Sequence, residues 1–434
     1  MTVFFPALQF FQAIADKQRV SPQTHSMSAP ASIKKIPVAQ LRPGMVIHDV
    51  NCSWLDHPFV TNSFAVRDEK RVREIKALGI HDVYIDTRLG DDVADAPTEA
   101  EVQHDIDARM ADIAGERPQE IRPVPLGAEI ERARRLHSDA NRIVRNIVQD
   151  IRLGKQIELE QVEPLVENMV DSIFRNQDAL LPLARLKDHD NYTFQHSVSV
   201  CALLVSFGRG LNLERPIIKQ LGIGGLLHDV GKAKVPDEIL NKPAKLTDAE
   251  FAKMKSHVVQ SIILLQNTPG ISQIALDVAG QHHERFDGSG YPNGLEGDQI
   301  SLYGRMGAIV DVYDAITSDR VYHKGMPPTA ALGRLLEWSS YHFDPVLVKV
   351  YVKSLGIYPS GSLVRMESGR LGVVLEQNAD NMLKPRVNVI YHAEYQRYLQ
   401  PEILDLSWSG CQDRITGHED YAAWGIDPKR WLPA

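Results

Sequence analysis

The spacing of apolar positions changes character several times along the chain. Within residues 31–90 the runs IPVAQLRPGMVIHDV, PFVTNSFAV and HDVYIDT are β-type, and DEKRVREIKALGI has helical spacing with a Gly-containing stop. A small α+β domain is expected there. Ile130, Ala133, Leu136, Ala140, Ile143, Ile147 and Ile151 then recur three or four apart, with Gly154 following as a C-cap, so 128–153 reads as one long amphipathic helix. Its apolar stripe suits packing on its own domain or a homodimer made through the helix. Helical period dominates from about 163 to 351, punctuated by Gly210, Pro243, Pro269 and the glycine-rich stretch 288–297. After that, SLVRM, GRLGVVLEQ, RVNVIYH and EILDL restore short β-type runs separated by polar turns.

The expected fold class is therefore mostly α. A helical region over 128–356, with the catalytic part at about 163–356, is flanked by the small α+β domain and a β-rich appendage over 357–434. Between Asp91 and Arg122 ten acidic residues stand against three basic ones with no sustained apolar period, so 91–127 reads as a solvated acidic linker. Residues 1–30 read as disordered or as an upstream extension, because Met27 is an alternative start. The first residues, MTVFFPALQFFQ, lack a basic stretch and are interrupted by Pro6 and Gln9, unlike a signal peptide.

Composition narrows the class of function. With 434 residues, 43% hydrophobic and 24% charged, the chain is an ordinary globular protein of two or three domains. A net charge of -8 disfavours binding to nucleic-acid polymers, although metals could still draw in a small anion. Cys52, Cys201 and Cys411 form neither a disulfide framework nor a CxxC site, which suits a reducing cytoplasm. No apolar run reaches the roughly 18 residues of a membrane span.

The chemistry lies in the helical region. His196 (FQHSVSV), His228 and Asp229 (LLHDVGK), His257 (MKSHVVQ), His282 and His283 (GQHHERFDGSGYP) and Asp311 (IVDVYDA) offer imidazole and carboxylate, ligands for iron, manganese, zinc or nickel. Alone, the His228-Asp229 pair reads as a core histidine beside a capping aspartate. A buried charge of that kind nonetheless demands a partner, and the ordered set points to a metal site.

This set resembles the HD superfamily of metal-dependent phosphohydrolases, and specifically its HD-GYP branch. The resemblance rests on HDVGK at 228–232, HHERFDGSGYPNGLEGDQI at 282–300 and RMGAIVDVYDAITSDRVY at 305–322, with the GYP triplet at Gly290, Tyr291 and Pro292. LRPGM, SWLDHPF and VYIDT are similar to a small N-terminal domain often fused to such regions. The resemblance implies hydrolysis of cyclic di-GMP to pGpG, with GMP after a second cut, by hydroxide activated on two divalent ions, iron or manganese. It implies that His196, His228, Asp229, His257, His282, His283 and Asp311 are the metal ligands, with Asp229 bridging. Lys232 would approach the scissile phosphate and Arg320 another part of the dinucleotide. Lys324 would stand in for a basic contact at the position of His323. Some members carry a glutamate where this chain has Tyr192, so two metals rather than three are expected. The competing readings are a slow or inactive sensor that binds cyclic di-GMP or meets diguanylate cyclases through the GYP region, and a phosphohydrolase of dNTPs or ppGpp. The GYP block argues against the last.

Overall fold

The computed structural model describes residues 33–52, 57, 59, 61–115, 124–185, 192–242, 244, 246–319, 324–378, 380–427 and 430–431. The expected extension 1–30 with Met27, the stop at Pro243, and Arg320 and His323 lie outside the described residues.

The N-terminal part is a four-stranded antiparallel sheet of β1 (Ile33–Pro37), β2 (Val46–Asp49), β3 (Phe64–Ala65) and β4 (Asp82–Asp86), in the order β1-β4-β2-β3. The helix α1 (Glu69–Lys76) precedes β4, capped by the Asp68 carboxylate accepting from Arg71 N. Ile36, Ile47, Val83 and Ile85 of the sheet pack against Val72 and Ile75 of α1, forming a core separate from the main one. This is the small α+β unit that the mixed periodicity foretold.

The stretch expected to be a solvated linker is instead largely a helix, α2 (Glu99–Gly115). Its acidic residues face water, while Ile106, Met110 and Ile113 are buried with the helical domain's core. A stripe of one apolar residue per turn suffices when a neighbour covers it, and an excess of acid on the other faces conceals it in a composition count.

Next come α3 (Leu126–Arg152), α4 (Leu159–Arg185), α5 (Tyr192–Gly210) and α6 (Arg215–Leu227). The long helix ends where expected, with Gly154 at φ +81° and its N–H on Ile151 O. Ile130, Ala133, Ala140, Ile147 and Ile151 are buried in the common core. The apolar stripe on which the homodimer expectation rested is thus covered from within the chain. A 3-10 turn (Val230–Lys234) leads on to α7 (Asp248–Gln266), α8 (Gln273–Gln281), α9 (Leu302–Thr317), α10 (Pro328–Trp338) and α11 (Pro345–Leu355). Phe207, Tyr313 and Tyr351 lock α5, α9 and α11 together through ring contacts of 5.0 and 5.4 Å. Each fully buried ring contributes on the order of 1.5–3 kcal/mol. This anchors α9, the helix that carries Asp311.

The chain closes in a five-stranded antiparallel sheet, β5 (Leu363–Met366), β6 (Arg370–Glu376), β7 (Arg386–His392), β8 (Arg397–Asp405) and β9 (Ile415–Glu419), ordered β8-β7-β6-β5-β9. The protein is mostly α with a β sheet at either end. Among the described residues, no helix is long and apolar enough to cross a membrane.

Candidate metal centre

Five separate segments converge on one buried point. His196 comes from α5, His228 from the C-terminus of α6, His257 from α7, His282 and His283 from the end of α8, and Asp311 from α9; Asp229 opens the 3-10 turn. The two dipeptides lie at helix ends because the chain turns there, which lets neighbouring side chains diverge. The approach of that turn to α7 requires glycine at 231: a Cβ there would stand 2.0 Å from His257 O and 2.5 Å from Ser261 N.

Three of the imidazoles are aimed by their own helices. Nδ1 of His228, His257 and His282 lies 2.8, 2.7 and 2.9 Å from the carbonyl oxygens of Gly225, Met254 and Ala279, each three residues earlier. Nδ1 is therefore the donor, and Nε2 is left as the lone-pair atom facing the centre. His196 is oriented differently, with Nδ1 2.6 Å from Asp314 Oδ2. Ser199 donates to the other oxygen of that carboxylate.

Asp229 divides the cluster. Its Oδ2 lies 3.5 Å from His196 Nε2 and 3.3 Å from His228 Nε2, and its Oδ1 3.3 Å from His257 Nε2 and 4.0 Å from His282 Nε2. Asp311 Oδ1 completes the first lobe at 3.0 Å from His196 Nε2, and its Oδ2 reaches toward His283 Nδ1 at 3.8 Å. His196, His228 and Asp311 form one group with ligand atoms within 4.8 Å of one another, and His257, His282 and His283 form another.

Five atoms in this cluster are fully buried yet form no hydrogen bond: Asp229 Oδ1, His257 Nε2, His282 Nε2, His283 Nδ1 and Asp311 Oδ2. Burying such atoms unpaired costs about 1–3 kcal/mol each. So many in one place, all potential ligand atoms, fit divalent cations as the missing partners. The protonation pattern agrees. Burial pushes His257 down to about 4 and His282 down to about 3, and it holds His283 well below its usual range, so these imidazoles are neutral. At Asp229 burial opposes ionisation, but Lys232 and His228 outweigh it. Asp311 is likewise kept ionised against burial, by His196 and His228. His228, between both carboxylates, is pushed up to about 10 despite burial, because Asp229 and Asp311 favour positive charge at this point, which a bound cation would supply.

Lys232 stands at the mouth, its Nζ bonded to Asp229 Oδ2. Tyr291 stacks on His283 at 4.7 Å and donates its N–H to His283 O, while the Lys255 ammonium lies over the Tyr291 ring, 5.4 Å from its centre. Gly290 is required by close packing, since a Cβ would fall 2.3 Å from Arg285 N. Lys324 is not brought to the cluster: its ammonium pairs with Asp420, 2.6 Å away beside β9. Tyr192 opens α5. Sequence reasoning passed over Asp314, although it sits one turn after Asp311 on the same helix. Glu284, which the sequence marked only as the residue after the His pair, has a buried carboxylate that accepts from Asn293 N and Leu295 N and so shapes the GYP loop.

This is the architecture of a metal-dependent hydrolase of the HD class, and comparison with known proteins agrees. The family described as HD domain matches residues 181–347, and a domain of unknown function (DUF3391) matches 33–162. The chain is 44% identical over 395 residues to the cyclic di-GMP phosphodiesterase PA4108 of Pseudomonas aeruginosa, covering 91% of this chain and 94% of that protein. The chain belongs to that HD-GYP phosphodiesterase family. It is also 36% identical over 218 residues to a cyclic di-GMP phosphodiesterase of Vibrio cholerae, 45% of this chain and 44% of that one. A 3'3'-cGAMP-specific phosphodiesterase 1 from the same organism is 44% identical over 135 residues, 31% of each chain.

Proposed function

We propose that this enzyme hydrolyses cyclic di-GMP at a two-metal centre, releasing linear pGpG, with GMP after a second cut. The observation that carries the reading is the divided cluster, in which Asp229 turns one oxygen toward His196 and His228 and the other toward His257 and His282. His196, His228, Asp229 and Asp311 would hold one ion, and Asp229, His257, His282 and His283 the other. Histidine-rich sites with carboxylates suit iron or manganese. Such ions, when bound, neutralise phosphate charge and bring the pKa of water toward neutrality. The chain's own contribution is orientation and charge. Carbonyl-bonded Nδ1 atoms fix three rings, Asp314 fixes a fourth, and the Lys232 ammonium lies where charge builds on the phosphoryl oxygens, a contribution of about 2.7–4 kcal/mol for a donor so placed.

Purified full-length protein, loaded with manganese or anaerobic ferrous iron, should convert cyclic di-GMP to pGpG, followed by chromatography of the products. Similarity to a cGAMP-specific enzyme makes 3'3'-cGAMP the substrate to run beside it. Faster turnover of cGAMP would reassign the substrate, and binding without turnover of either would make the protein a sensor. Loss of about three ions per chain on Asp229→Ala would contradict the two-metal reading.

A further inference from the structure

The N-terminal domain meets the GYP loop at a second group of ligand side chains. We infer that His81, Asp287 and His342 form a separate binding site for a zinc-class divalent cation, clamping the N-terminal domain to the loop that carries Gly290, Tyr291 and Pro292. The three residues come from three distant segments: the residue before β4, the GYP loop, and the turn between α10 and α11. One ligand atom of each lies within 4.8 Å of the others, and none of the three belongs to the buried cluster around Asp229.

The carboxylate is already aimed. Asp287 Oδ1 accepts from Ser289 N at 3.0 Å and Ser289 Oγ at 2.6 Å, which turns Oδ2 toward His81 Nε2, 2.6 Å away. His81 is held by stacking on Tyr341, with ring centres 4.3 Å apart at 18°. His342 is buried, and its backbone is fixed on both sides: its N–H donates to Trp338 O at 2.8 Å, and its carbonyl accepts from Phe286 N at 2.9 Å. Gly79, two residues before His81, brings the domains together closely enough that a Cβ there would lie 3.3 Å from the Ser289 Cβ. Two imidazoles and one carboxylate with outer hydrogen bonds match a three-ligand zinc site completed by water. The His81 side chain is 43% exposed, so an ion can enter and water can fill the remaining position. Without an ion, the same contact is an interdomain hydrogen bond.

The test reads metal, not turnover, so it stands apart from the substrate assignment. Metal-free full-length protein is titrated with Zn²⁺ against a chromophoric chelator, using wild type, His81→Ala, His81→Gln, His81→Cys and Asp229→Ala. The expected result is one tight ion fewer for His81→Ala and His81→Gln, or at least tenfold weaker binding of that ion, with recovery in His81→Cys and retention in Asp229→Ala. Zinc should also slow hydrogen exchange in residues 286–292 of wild type but not of His81→Ala. Equal ion counts and affinities in wild type and His81→Ala would overturn the proposal. So would loss of the same ion in Asp229→Ala, which would assign it to the buried cluster. Unchanged metal-free melting temperatures for the His81 variants exclude misfolding as the cause.

Discussion

Two buried polar clusters of similar size lie in this molecule, and they are satisfied to opposite degrees. The first joins the N-terminal domain to α10. Asn51 Nδ2 donates to Glu337 Oε1, while Asn51 Oδ1 accepts from Arg334 and Trp338 Nε1. Glu337 also accepts from Tyr84 OH and Arg334 and pairs with Lys35, and Arg334 reaches Asp49. None of these side chains leaves a buried polar atom unpaired, whereas the cluster around Asp229 leaves five. A satisfied network fixes one docking geometry and asks for nothing more. An unsatisfied one, held in place by carbonyl bonds at its outer nitrogens, is built for something else to bind.

The largest effect that can separate the two is on turnover. Asp229→Ala removes the residue shared by both lobes, and at least about 4 kcal/mol of barrier lowering should vanish, on the order of 10³ in kcat. Metal content should fall with it, while the N-terminal interface stays intact by hydrogen exchange. Retained turnover with full metal content would remove Asp229 from the centre. Gly231→Ala should approach the same loss without replacing a ligand residue, because its Cβ, 2.0 Å from His257 O, has to push the His257 backbone aside.

Glu337→Ala is the matched experiment on the satisfied side. Removing one partner leaves the Arg334 and Lys35 charges short of a counter-ion in a buried site, which costs about 3 kcal/mol. Denaturant titration of the metal-loaded protein should show the loss, with kcat changed far less than in Asp229→Ala. A pH dependence follows. Burial works against ionisation of Glu337, but Arg334 and Lys35 prevail and hold its carboxyl below the usual range. The stability it gives is therefore present above the unfolded carboxyl pKa of about 4.5 and is lost as pH falls through the lower folded value. Glu337→Gln should flatten that part of the stability profile.

The contrast also accounts for what the sequence disclosed. His228-Asp229, His282-His283 and the GYP triplet are local words, so their chemistry could be read before the fold. His196, between Gln195 and Ser197, belongs to no such local word and gained its meaning only as one member of the ordered set. The docking network left no such trace: Asn51 and Glu337 are 286 positions apart, and each alone is an unremarkable polar residue. The helix α2 was hidden by its acidic surface, since burial by a neighbour, not composition, decides its state. Lys324 was placed by position in a motif, but its pairing with Asp420 depends on where the C-terminal sheet packs.

Metal addition offers a gentler test of the same difference. At a free concentration of 100 times Kd, an ion that binds only the folded state adds about 2.7 kcal/mol of stability. Manganese should raise the melting temperature of wild type and of Glu337→Gln by similar amounts, since the docking network has no unpaired atom to offer. In His282→Ala the increment should shrink, because one of the five unpaired atoms is gone. An equal increment in all three proteins would mean that the unpaired atoms are not where the ion binds.

The smallest effect is expected between the two clusters, at His81. Its side chain is 43% exposed, and its contact with Asp287 joins the N-terminal domain to the GYP loop. In metal-free protein His81→Ala should cost no more than about 1 kcal/mol, as the loss of one partly exposed hydrogen bond does. A loss as large as that of Glu337→Ala would show that the docking surface extends as one cooperative network from α10 to the GYP loop. The small loss expected leaves the loop attached mainly through backbone contacts such as Phe286 N to His342 O, so the ends of the interface can loosen while its centre holds.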